Sequence, residues 1–266
     1  MNFKIKRVFA VVMRHLLLMK NPFELTSHLY WVLMDVVIFG FLVQSMNRQG
    51  NNSLNIATIC ILTNLAVCYV FARGAVSLAS TLLKDLSDLS FVGLMATPIT
   101  TAEWIFSQII VAAVSSGISF LMGFVCIGIF FRFNVFSSGL VLIPAIISLL
   151  ISSWTLGIFM LSLVIVFGKK SSSSIHTVPW LFLPFSGVFY SVAILPAYCQ
   201  KIASWLPMFY IFDGLTQYIK NGQSISLALL KSTGLNLIYF TVAITLFMIM
   251  FKRRKNIGLT RLELES

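Results

Sequence analysis

The stretch from Gly139 to Phe167 reads GLVLIPAIISLLISSWTLGIFMLSLVIVF and contains no charged residue. A helix rises about 1.5 Å per residue, and about 20 apolar residues cross the hydrocarbon core of a bilayer. This segment is long enough to span, and it has no polar stripe to offer to water. Comparable stretches run near 29–45, 55–75, 104–131, 177–192 and 233–251. The expected fold is an all-α polytopic membrane protein with six transmembrane helices. Hydrophobic residues make up 58% of the 266-residue chain and charged residues 10%, against about 25% charged in soluble domains. Six spans with short connections leave no room for a soluble catalytic domain.

The net charge of +11 reads as topology, because positive loop residues are retained on the cytoplasmic side. With both termini inside, Lys4, Lys6, Arg7, Arg14, Lys20, Arg73, Lys84, Lys169, Lys170, Lys252, Arg253, Arg254, Lys255 and Arg261 are internal. Only Arg48, Arg132, Lys201, Lys220 and Lys231 are external. The charge therefore does not call for nucleic acid. Cys60, Cys68 and Cys126 fall inside expected spans and Cys199 stands alone, so they read as small buried hydrophobes rather than disulfide or metal partners. The charged first residues lead into a helical pattern, not a cleavage site, so no removable signal peptide is expected.

Residues 1–25 read as an amphipathic interfacial helix and its exit. Ile5, Val8, Phe9, Val12, Met13, Leu16 and Leu17 recur at helical spacing, with Lys4, Arg7 and Arg14 on the other side. Asn21-Pro22 ends it. Residues 26–266 hold the six spans. The first contains Asp35, which either pairs locally or serves a pathway, since acidic groups at that depth usually face protein or water. The second carries Thr58, Thr63, Asn64 and Tyr69, too polar for a purely lipid-facing helix, and Arg73 is placed to snorkel from its inner end. Lys84, Asp85, Ser87, Asp88 and Ser90 then form a short polar stretch expected as a separate cytoplasmic helix. Thr100 or Thr101 can cap the third helix, with Glu103 in its first turn. Ser115, Ser119 and Gly123, then Ser148 with Ser152 and Ser153 with Gly157, place small residues one turn apart, as close helix packing requires. The serine run 171–174 reads as a flexible loop. From Ser186 to Gln223 the chain is too apolar for a solvated loop and reads as two short helices dipping into the outer leaflet.

Catalytic chemistry is hard to find. His15, His28 and His176 are scattered without a second ligand or base. Gly168-Lys169-Lys170-Ser171 lacks the upstream glycine of a phosphate loop, and Lys170 stands at its Ser/Thr position. No series of intramembrane carboxylates suggests a proton relay, and no filter-like loop suggests a channel.

Four segments carry a resemblance. Tyr30-Trp31-Val32-Leu33-Met34-Asp35 with Phe39-Gly40-Phe41 is similar to the first-span pattern of one branch of the type-2 ATP-binding-cassette exporter membrane subunits. Val32 and Phe39 replace its usual Pro and Trp. Leu82 to Pro98 resembles the segment that transmits ATPase movement. Ser186-Gly187-Val188-Phe189-Tyr190 with Leu195-Pro196 resembles the outer half of the fifth span, with Ser191 where Pro is usual. Leu206-Pro207 with Phe212-Asp213-Gly214 resembles the closing motif, where Glu-Gly and then a basic residue are common. The resemblance covers nearly the whole chain. It implies a permease with a coupling helix at 82–96, where Lys84, Asp85, Leu86 and Asp88 face the ATPase. It further implies an outer gate hairpin at 186–222 and a pathway or gate set of Asp35, Asn64, Phe189, Tyr190, Pro196, Pro207 and Asp213. The implied partners are a cytoplasmic ATPase subunit that holds the ATP, a second permease copy and the bilayer. This chain itself would bind no cofactor or metal and would not be an enzyme. A prokaryotic inner membrane and an amphipathic substrate (drug, lipid or lipid-linked glycan) suit such a subunit. The rival reading is an ion-coupled carrier or channel using Asp35.

Overall fold

The computed structural model describes residues 5–19, 22–47, 56–88, 90–132 and 139–257. Lys4, Lys20, Asn21, Arg48 and Arg261 lie outside the described residues. All regular structure among those described is helical: α1 (Ile5–Met19), α2 (Pro22–Asn47), α3 (Ile56–Ser87), α4 (Phe91–Ala96), α5 (Thr101–Phe131), α6 (Leu142–Phe167), α7 (Ser172–Ser186), α8 (Ala197–Ser204), α9 (Pro207–Asn221) and α10 (Ser226–Ile257). Four of these, α3, α5, α6 and α10, are long and apolar enough to cross a membrane. That is the architecture of an integral membrane protein. Helix α2 contributes a shorter apolar stretch, Val32–Leu42, among the described residues.

Helix α3 is the axis of the molecule. Its apolar window is 72% buried against 22% for α10, so α3 is surrounded by protein and α10 stands at the periphery. Two apolar clusters stack along α3. One joins Leu62 to Phe71 with Val32 and Val36 of α2, Phe120 and Ile127 of α5, Leu149 of α6 and Phe212 of α9. The other joins Leu78, Leu82 and Leu86 with Phe91, Trp104 of α5, Ile158 and Ile165 of α6 and Phe247 of α10.

Small residues permit this close approach. A side chain at Gly157 would meet Leu78 Cβ at 2.9 Å and the Ala75 carbonyl at 3.2 Å. At Gly74 it would fall on the Ser153 and Ser116 hydroxyls. Thus Ser153 and Gly157 do lie in a helix crossing. Ser148 and Ser152 lie in another: Ser148 Oγ is 2.9 Å from Ser232 Oγ, and Ser152 Oγ donates to Asn236 Oδ1 at 2.9 Å. Asn236 Nδ2 returns a bond to the Ser148 carbonyl at 3.2 Å.

Several expectations change. The second span, expected over 55–75, continues to Ser87. Ala75, Leu78, Ala79, Leu82 and Leu86 form one buried face, and Thr81 bonds its own Leu78 carbonyl, so nothing ends the helix at Arg73. Lys84, Asp85 and Leu86 therefore belong to its last turn, not to a separate helix, and the independent short helix is α4. The run 171–174 is no loop: Gly168–Ser171 is a single tight turn and Ser172 begins α7. The third helix is capped as expected. Thr100 Oγ1 accepts from Glu103 N–H at 3.2 Å, and the Glu103 carboxylate accepts from Thr100 N–H at 2.8 Å.

Candidate functional site

A cavity of about 590 Å³ opens between α2, α3 and α7. Asp35 and Phe39 come from α2, Cys68, Tyr69 and Arg73 from α3, and His176, Trp180 and Leu183 from α7. Phe189, just beyond α7, completes one end by stacking on Phe39 with ring centres 4.3 Å apart. The walls are set by helical spacing. Asp35 and Phe39 are one turn apart on α2, Tyr69 and Arg73 one turn apart on α3, and His176 and Trp180 one turn apart on α7. Tyr69 donates to the Val32 carbonyl at 3.2 Å and holds α3 against α2 there. Gly123 of α5 makes room for that ring, since a Cβ there would lie 2.8 Å from it.

Arg73 is not at a helix end. Ser87, the last residue of α3, lies fourteen positions and about 21 Å of helix further on, and Arg73 lines the cavity. Asp35 and Arg73 act on each other electrostatically. Neither makes an ion pair within 4 Å among the described residues, where the pairs are Arg7–Glu103, Arg14–Asp85 and the His15–Asp85 contact. A charge within the hydrocarbon core costs about 2.5–3.5 kcal/mol on insertion scales, and groups of this kind usually face protein or water.

The other expected pathway residues scatter. Asn64 is buried and donates to Thr216 Oγ1 at 3.0 Å, tying α3 to α9 rather than facing the cavity. Tyr190 lies on the surface and donates to the Pro184 carbonyl at 2.9 Å. Pro196 precedes α8 and its carbonyl accepts the first turn's N–H groups. Asp213 is exposed on α9. Pro207, the first residue of α9, borders a second, almost wholly apolar cavity of about 580 Å³ with Phe71, Phe159, Trp205 and Tyr239.

The expected coupling residues build a clamp instead of an open face. Asp85 and Leu86 are buried, while Lys84 and Asp88 are exposed. Asp85 Oδ1 takes an Arg14 N–H at 3.0 Å, and Arg14 also donates to Ser90 Oγ at 2.8 Å, so α1, the end of α3 and the approach to α4 are joined at one point. Arg7 lies 3.8 Å from Glu103 and donates to the Pro98 carbonyl. These contacts leave the two arginines of α1 partly buried. Ile5, Phe9 and Met13 of the same helix are exposed. His15 sits beside this clamp. Burial, with Arg14 and Lys84 nearby, pushes its imidazole down to about 4. It is neutral, and Nε2 accepts from the Gln108 amide at 3.1 Å.

No known protein family model matches this chain, and no curated protein does either. Of the expected pathway residues the cavity brings together Asp35 and Phe189, and beside them it places Arg73, His176 and Trp180, which no expected site included, as none included Arg14 of the clamp. The i, i+4 spacings of Tyr69 with Arg73 and of His176 with Trp180 were visible; that they share one cavity was not.

Proposed function

We infer that this chain is the permease subunit of an ATP-driven exporter of the type-2 ATP-binding-cassette kind. It works as a dimer with separate ATPase subunits and moves an amphipathic substrate. The observation that carries this reading is the cavity at mid-helix between α2, α3 and α7, with unpaired charge inside and the Phe39–Phe189 stack at one end. In the proposed topology α2, α3, α5, α6, α7 and α10 are the six spans, and both termini are cytoplasmic. Helix α2 is about 39 Å long, enough to cross. Helix α7 is about 22 Å long, and the chain from Gly187 into the α8–α9 hairpin completes the fifth crossing. A second copy closes the cavity against exposed Met34 and Ile38 of α2 and Trp180 and Leu181 of α7.

The proposed power stroke enters at the clamp. ATPase closure pushes on α4 and the exposed Lys84 and Asp88. Buried Asp85 passes the displacement to α1 through Arg14, and α3 carries it to the cavity. ATP shifts this equilibrium only as far as the closed ATPases prefer one tilt of α3 over another. The hairpin, tied to α3 by Asn64, opens as the outer gate. ATP is bound and hydrolysed on the partner, and the setting is an inner membrane.

The test is gentle extraction of the tagged chain from its native membrane, with mass spectrometry of what accompanies it. A stoichiometric soluble subunit with phosphate-loop motifs supports the exporter. A chain that purifies alone under several mild conditions favours the second reading, a carrier or channel in which Asp35, unpaired in the cavity, binds the coupling ion.

A further inference from the structure

Two opposite charges share one cavity without touching. Asp35 enters from the middle of α2 and Arg73 from the middle of α3. An acid and a base that close on each other neutralise the site and leave it to apolar cargo. An acid or a base alone selects one sign of charge. Two held apart on facing helices leave a gap that is filled best by a group carrying both signs.

We propose that the α2–α3–α7 cavity binds a zwitterionic head group, with its cationic centre at Asp35 and its phosphate or carboxylate at Arg73. The remaining wall suits such a ligand. Phe39, Tyr69, Trp180 and Phe189 supply aromatic faces that accommodate a quaternary or primary ammonium beside the carboxylate. A guanidinium offers a planar fork of donors to phosphate. His176 adds a further polar group on the α7 side. A volume of about 590 Å³ lies within the range of small-molecule sites, about 300–1,000 Å³, and holds a head group with the start of its chain. This rests on the pathway reading above and gives that pathway its substrate class.

The experiment uses the full chain in nanodiscs of phosphatidylglycerol, which carries no cationic centre, and without any ATPase. Three probes share a hexyl chain: hexylphosphocholine, hexyl methyl phosphate and hexyltrimethylammonium. The readout is the fluorescence of Trp180, taken as the difference from Trp180→Phe, with empty nanodiscs subtracted. The expected result is saturation by hexylphosphocholine at a concentration about tenfold below either singly charged probe, the ratio one added charge contact supplies. Asp35→Asn should bring hexylphosphocholine down to the level of hexyl methyl phosphate without weakening hexyl methyl phosphate. Arg73→Gln should do the converse, without weakening hexyltrimethylammonium. Equal saturation by all three probes in the unaltered chain overturns the proposal, and this arm needs no variant to fold. A ranking that Asp35→Asn leaves intact overturns it too. A partner ATPase that never co-purifies, with the probe ranking as expected, removes the exporter reading and keeps the binding site. An ATPase that co-purifies with no probe preference does the opposite.

Discussion

At the scale of single residues the Arg14–Asp85 pair is the sharpest point. Its two halves are unequal: the Asp85 side chain is 1% exposed and that of Arg14 is 34%. Removing one partner of a buried pair costs about 3–5 kcal/mol when the survivor stays buried and charged. Arg14→Ala strands the carboxylate. Asp85→Ala leaves a guanidinium that can turn to water. Thermal unfolding in nanodiscs should therefore show Arg14→Ala as the more damaging variant, by about 1–2 kcal/mol after discounting for Arg14's exposure. Equal losses would mean that Asp85 has another way to shed its charge. His15 next to it gives a pH dependence of known sign. Its ring takes a proton near 6.5 when unfolded but only at about 4 in place. The unfolded chain thus binds more protons at this ring between those values, so the His15 contribution to stability is full above pH 6.5 and is lost as pH drops to 4, while buried Asp85 beside it contributes in the opposite sense. Read as the difference between the two melting-temperature profiles, the parent chain should lose stability relative to His15→Gln as pH falls from 6.5 to 4.

At the scale of elements, α3 is held by what its neighbours lack. Gly157 and Gly74 let α6 and α5 approach its backbone, and the atoms they would strike include a carbonyl that cannot rotate away. Overpacking of this kind costs about 1–3 kcal/mol. At Gly117 of the long helix α5, by contrast, a Cβ would find nothing within 4 Å. Gly117→Ala should be neutral or gain up to about 1 kcal/mol of helix propensity, whereas Gly157→Ala should lower the melting temperature. Periodicity announced both helices but not their difference, because a glycine in an apolar run looks the same whether it faces lipid or another backbone. The continuation of α3 to Ser87 shows the same limit. Lys84, Asp85 and Asp88 look like a solvated segment until α1 supplies Arg14 and the second apolar cluster covers Leu82 and Leu86.

At the scale of the whole molecule, the cysteines offer a test of orientation. Cys60, Cys68 and Cys126 are buried, and Cys199 on α8 is partly exposed. With both termini inside, α8 faces outward. A membrane-impermeant maleimide added to intact cells should label Cys199, and Cys199→Ser should abolish the signal. Labelling only in inverted vesicles would reverse the topology and with it the assignment of the clamp to the cytoplasmic side.

Length, charge and hydrophobic runs determined by themselves that this chain is helical and built for a membrane, since a span needs only about 20 apolar residues in succession. The Thr100–Glu103 cap and the packing serines were equally local, being written within four residues of one another. Tertiary structure decided the rest. Asp35 and Arg73 are 38 positions apart and share a cavity only because α2 and α3 run side by side past α7. Arg14 and Asp85 are 71 positions apart and meet only because α1 packs on α5 and so passes beside the end of α3. Charges spread that far along a chain have no periodicity to betray their partners, and which of them pair is settled by the helices that bring them together.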